Sequence, residues 1–195
     1  MPIFSDLCLD MRRFLEAAII FLNLYLVEYF VNTAVKLREL IAQFITPESF
    51  QPYGQVIFPC EDDKIFDYTD AQLSLENGIT RFYIMRLKNQ GTGFHKITRH
   101  VECTQCLGSL EGKDWFMAVC PPDNNTREPI LDKLVVFHIP GNCFIKLEVG
   151  TWHAGPYFYH DFVDFYNLEL SNTNLVDHFT HDFLKTNGLT FQIVL

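Results

Sequence analysis

The residues best suited to chemistry sit in two short runs. The first, HKITRHVECTQCLGSLEG at 95–112, carries His100, Cys103, Gln105, Cys106 and Gly112; the second, EVGTWH, ends on His153. An imidazole titrates near neutrality, so two of them can take and return a proton, and the same nitrogens can ligate a metal. A C-x-x-C pair can bind zinc or cycle a disulfide. A zinc ribbon needs a second such pair, which the sequence lacks, and a redox pair belongs at a helix start, whereas VECTQCLGSL reads extended. Alternation along a strand puts Cys103 and Cys106 on opposite faces. Cys120 and Cys143 lie in apolar runs and read as reduced core cysteines.

A second chemical feature is electrostatic. The chain has 15 basic and 24 acidic residues, a formal net charge of -9 that argues against bulk-charge binding of nucleic acid or an anionic membrane. Yet Thr80 to Val101 contains no acidic residue and includes Arg81, Arg86, Lys88, Lys96 and Arg99. Such a stretch can hold a small anion, or it can be a solvated strand edge whose cations discourage aggregation.

The elements that must position these residues read as β. Hydrophobic residues make up 48% and aromatic residues 15% of 195 positions, a composition that folds and suits a strand-rich core. After TPESF, a helix start with Thr46 as N-cap and Pro47 at N1, the spacing predicts a first strand at YGQVIF. Further strands are predicted at TRFYIMRL, HKITRHV, QCLGSL, DWFMAVC, LVVFHI, CFIKLEV and DFVDFYNLEL, separated by turn clusters. Pro59 to Gly78 reads as irregular. Many short strands at this spacing indicate an all-β sandwich or barrel.

Residues 1–36 read as a hydrophobic, helical N-terminal extension to a β-domain at 37–195. Residues 14–35 have the length of a membrane span, flanked by Arg12, Arg13, Lys36 and Arg38 but interrupted by Glu16, Asn23, Glu28 and Asn32. An anchor, a signal segment and a soluble helical extension all stay open; membrane contact, if any, is expected only through 14–35. The expected location is cytoplasmic, with targeting or anchoring to the endoplasmic reticulum as the alternative.

The two histidine runs resemble the paired motifs of cupins, which are double-stranded β-helix (jelly-roll) barrels. The first motif runs His, three or four residues, Glu, six residues, Gly; His100, Gln105 and Gly112 fall at those intervals. The second is Pro-x-Gly-x-x-His, matched by Glu148 to His153 with Glu148 in the proline position. Thr98 stands where metal-binding cupins place their first histidine, and Gln105 replaces the acidic ligand. An amide oxygen is a poorer ligand than a carboxylate, so His100 and His153 are the two metal ligands left, and the cofactor expected is none or a weakly bound divalent metal.

More widely, ITPESFQPYGQVI, DAQLSLENGITRFYIMRL, HKITRHVECTQCLGSLEGKDWFMAV, FHIPGNCFIKLEVGTWHAGP and VDFYNLEL resemble the ureidoglycolate lyase family, in its plant-type branch, from about residue 35 to residue 182. The resemblance implies cleavage of ureidoglycolate to glyoxylate and urea in the catabolism of allantoin and purines, and a homodimer. It implies His100 and His153 as the acid–base pair with Glu148 assisting. Arg86 or Arg99, with Lys96 or Lys146, would hold the substrate carboxylate, and Gln105 the ureido group. The alternative is a catalytically inactive cupin-fold module that binds a small molecule.

Overall fold

The computed structural model describes residues 18–19, 21–22, 35–123 and 127–195. Two units divide the chain, 1–36 and 37–195. In the first, residues 18–19 and 21–22 are helical; the remainder of the expected hydrophobic helix, and with it the possible span over 14–35, lies outside the described residues apart from residue 35. Among the described residues no helix is long and apolar enough to cross a membrane.

The second unit is built from strands. They are β1 (Lys36–Phe44), β2 (Gly54–Ile57), β3 (Thr80–Lys88), β4 (Gly93–Phe94), β5 (Lys96–Arg99), β6 (Gln105–Ser109) and β7 (Gly112–Cys120). They continue as β8 (Val135–Gly141), β9 (Phe144–Leu147), β10 (Trp152–Tyr157), β11 (Phe162–Leu170), β12 (Phe179–Asp182) and β13 (Leu189–Val194). One sheet has the order β12-β5-β10-β7-β8-β1-β13-β4 and the other β2-β9-β6-β11-β3. A single residue, His95, separates β4 from β5, yet these strands sit near opposite ends of the eight-strand order. The larger sheet therefore curls toward closure, and the unit is an all-β half-barrel.

Local chemistry accounts for several elements. Thr46 Oγ1 accepts from the Ser49 amide at 3.1 Å while Ser49 Oγ accepts from the Thr46 amide at 3.0 Å, so the short helix Pro47–Phe50 starts on a reciprocal cap. Glu111 and Gly112 take φ of 61° and 67°, as the two central residues of a type I′ turn require, and this turn joins β6 to β7. The run in β7 is apolar because both its faces are buried. Trp115, Met117 and Val119 enter one core cluster with Phe137, Ile145 and Phe165. Phe116, Ala118 and Cys120 enter a second with Trp152, Phe183 and Phe191.

Five strands differ from expectation. β1 precedes the expected first strand and pairs in parallel with β8, β4 and β10 fall between expected strands, and β12 and β13 lie in a tail with few turn signals. The cysteines at 60, 103, 106, 120 and 143 are free thiols; Cys120 and Cys143 are buried.

Candidate functional site

Strand register brings the two histidine runs together. Thr98 on β5 pairs directly with His153 on β10, and His100 lies two residues beyond Thr98 on the same face. The turn before β10 is tied to the first run: the Gly150 amide donates to the His100 carbonyl at 2.6 Å. Thr151 Oγ1 donates to the Tyr53 carbonyl at 2.9 Å, and Gly150 adopts φ of 84°, which glycine tolerates without a Cβ penalty. The imidazoles of His100 and His153 end with ring centroids 5.1 Å apart.

Both rings are buried, and a backbone carbonyl orients each. His100 Nδ1–H donates to the Asp177 carbonyl, and His153 Nδ1–H donates to the Thr151 carbonyl at 3.2 Å. A carbonyl only accepts, so both protons sit on Nδ1 and both Nε2 atoms carry a lone pair. Burial, then the neighbouring His100, lowers the His153 pKa to about 3. Burial also holds His100 below its ordinary range, partly opposed by its bond to Asp177 and by the charges of Asp177 and Glu169. Two neutral imidazoles thus share one wall at neutral pH.

Asp177 fixes more than a tautomer. Its carboxylate accepts from the Val101 amide at 2.8 and 3.0 Å and from the Glu102 amide at 2.8 Å. The chain just after His100 is thereby clamped to the segment that carries His178.

A cavity of about 270 Å³ opens on the pair. Its wall includes Lys96, Thr98, Gln105, Asn167 and His178. His178 lies 5.7 Å from His100 between ring centroids and bonds Thr180 Oγ1 through Nδ1 at 3.3 Å. Behind the wall, Glu169 is 1% exposed and accepts from Gln105 Nε2 at 2.9 Å and from the Tyr83 hydroxyl at 3.1 Å.

Of the expected site residues, His100, His153, Lys96 and Gln105 converge. Four others lie elsewhere. Arg86 points to the opposite face of β3 from Met85 and Leu87, and forms a bidentate pair with Asp164 at 2.8 and 2.7 Å. Arg99 shares the face of Ile97 rather than of His100, and its guanidinium covers the Trp152 ring at 4.6 Å. Lys146 is the cross-strand partner of Cys106 and Gln55, on the face of the smaller sheet opposite Gln105; it is buried and paired with Glu148. Glu148 is half exposed and so occupied by Lys146 rather than by either histidine. Asn167, Glu169, His178 and Tyr83 were not expected; they reach the site from β11, β3 and the segment before β12, through pairings distant in sequence.

The donor set fits a resident metal poorly. His100 and His153 share the wall with a third imidazole, His178, but the Thr98 alcohol is bonded to Thr180 Oγ1 at 3.1 Å, Gln105 offers only an amide, and among the described residues no three His, Cys, Asp or Glu side chains form a metal-ligand group. A scan against protein-family models finds no match for this chain, and no curated protein matches it.

Proposed function

We propose that the β-unit is a cupin-type barrel that cleaves ureidoglycolate to glyoxylate and urea. The observation that carries this reading is the meeting of His100 and His153, as neutral bases, in a small cavity that also holds one cation, Lys96. The substrate is a carbinolamide with a carboxylate. Its elimination moves one proton from the hydroxyl oxygen to the leaving nitrogen while the C–N bond breaks and the C=O bond forms. No net proton or electron is exchanged with the protein.

One neutral imidazole can carry that proton out and back. His100 is the better carrier, because Asp177 and Glu169 oppose the loss of its charge, whereas His153 is held neutral more strongly. His153 then accepts a substrate hydrogen bond at Nε2. Lys96 holds the carboxylate, and Gln105 contacts the ureido group. The homodimer implied by the resemblance is supported by Phe82 and Ile84, exposed on the edge strand β3.

A catalytically silent binding module is the second reading, favoured by the displacement of both arginines from the cavity. Purified protein incubated with ureidoglycolate separates the two. Equal release of urea and glyoxylate supports the lyase; tight binding without release supports the module.

A further inference from the structure

The polar wall of the cavity has a direction imposed by one carboxylate. Glu169 only accepts. The Tyr83 hydroxyl donates to Glu169 Oε1 at 3.1 Å, so the phenol oxygen is left to accept from Asn167 Nδ2 at 3.0 Å. Asn167 Oδ1 must then accept, and it takes Gln105 Nε2 at 3.1 Å. The second Nε2 proton of Gln105 goes to Glu169 Oε2 at 2.9 Å, which closes the ring. Burial raises the Tyr83 pKa, so the phenol keeps the proton that the ring needs. Every amide orientation follows from this chain of donors and acceptors.

One atom is left over. Gln105 is 8% exposed, and its Oε1 is buried without a hydrogen-bond partner. An unanswered buried carbonyl is costly, and Gln105 is part of the cavity wall. The amide cannot turn to present its NH₂ group without setting its oxygen against Glu169.

We infer that Gln105 Oε1 is the acceptor for an N–H group of the ligand, with Glu169 as the positioning residue that fixes its polarity, so the site selects a ureido or primary amide terminus over a carboxylate. This rests on the reading of the cavity as the ligand site and deepens it. At that end of the cavity a carboxylate oxygen would meet an amide oxygen backed by a second carboxylate, and would be repelled.

The test is calorimetric binding to the full-length protein. N-carbamoylglycine carries the ureido and carboxylate groups but lacks the hydroxyl that elimination needs; succinate has a similar span with a carboxylate in place of the ureido end. Wild-type protein is expected to bind N-carbamoylglycine at least about tenfold more tightly. In Gln105→Met the preference should shrink to within about threefold, and in Glu169→Gln it should shrink mainly through improved succinate binding. Equal affinities in the wild type, no binding of N-carbamoylglycine at millimolar concentration, or an unchanged preference in a Gln105→Met protein with native circular dichroism would each overturn the inference. Neither probe reacts. A protein that releases no urea from ureidoglycolate yet keeps the preference would sink the lyase reading alone.

Discussion

His100 and Asp177 are joined twice: the histidine Nδ1–H donates to the aspartate carbonyl, and the aspartate carboxylate binds the two amides that follow the histidine. One residue therefore sets both the tautomer of His100 and the path of the chain beyond it. Asp177 is 2% exposed, so little water is at hand to replace those bonds. Asp177→Ala is expected to destabilise the fold by about 1–3 kcal/mol, by removing the acceptor of the part-buried Val101 and Glu102 amides. Chemical denaturation measures this, and a loss below about 0.5 kcal/mol would show that the clamp is not needed.

Acid should weaken the fold through the histidine pair. His153 has a folded pKa of about 3, below its unfolded value of about 6.5, so the unfolded chain binds the proton first. The stabilisation is complete above about pH 6.5 and is lost as pH falls toward about 3, by up to about 1.4 kcal/mol per unit from this residue. Denaturation midpoints recorded across that window in the wild type and in His153→Gln test the origin; the variant should show a shallower slope.

Lys96 and Arg86 lie ten positions apart in a strongly cationic stretch but on different sides of the smaller sheet's wall. Lys96→Ala is expected to raise the KM for ureidoglycolate about tenfold or more, through loss of a charge-assisted contact. Arg86→Ala should leave kcat/KM within about twofold and change stability by less than about 1 kcal/mol, since the Arg86 side chain is 66% exposed. Steady-state kinetics on both variants decide it; equal losses would mean that Arg86 acts at the site.

Chelation offers a separate check. With an alcohol and an amide in two of four ligand positions, turnover is expected to stay within about twofold after dialysis against EDTA. A loss of activity restored by zinc or manganese would give His100 and His153 metal-binding roles.

Sequence carried much of this fold, unevenly. The capped helix at Thr46 was legible because its bonds are local. So were most strands bounded by glycine and proline turns, although β4 and β10 begin inside segments that read as turns. β1 was not: Leu37, Leu40, Ile41 and Phe44 have helical spacing, but pairing with β8 draws the segment into a sheet. The misplacement of Arg86 has a similar cause. Along β3, apolar residues occupy both faces, with Phe82 and Ile84 outward and Met85 and Leu87 at the cavity, so no alternation tells which way the arginine points. For Arg99 the signal was present, since Ile97 and Arg99 alternate with Thr98 and His100. The ring of Tyr83, Asn167, Glu169 and Gln105 had no local signature, because it is assembled from three strands.

The most direct measurement is urea release from ureidoglycolate by the wild type and by His100→Ala. The expected result is urea and glyoxylate in equal amounts from the wild type, and a rate lower by about 10² to 10⁴ in the variant. No urea from the wild type, or a variant rate within about threefold of it, would contradict the assignment of His100 as the proton carrier.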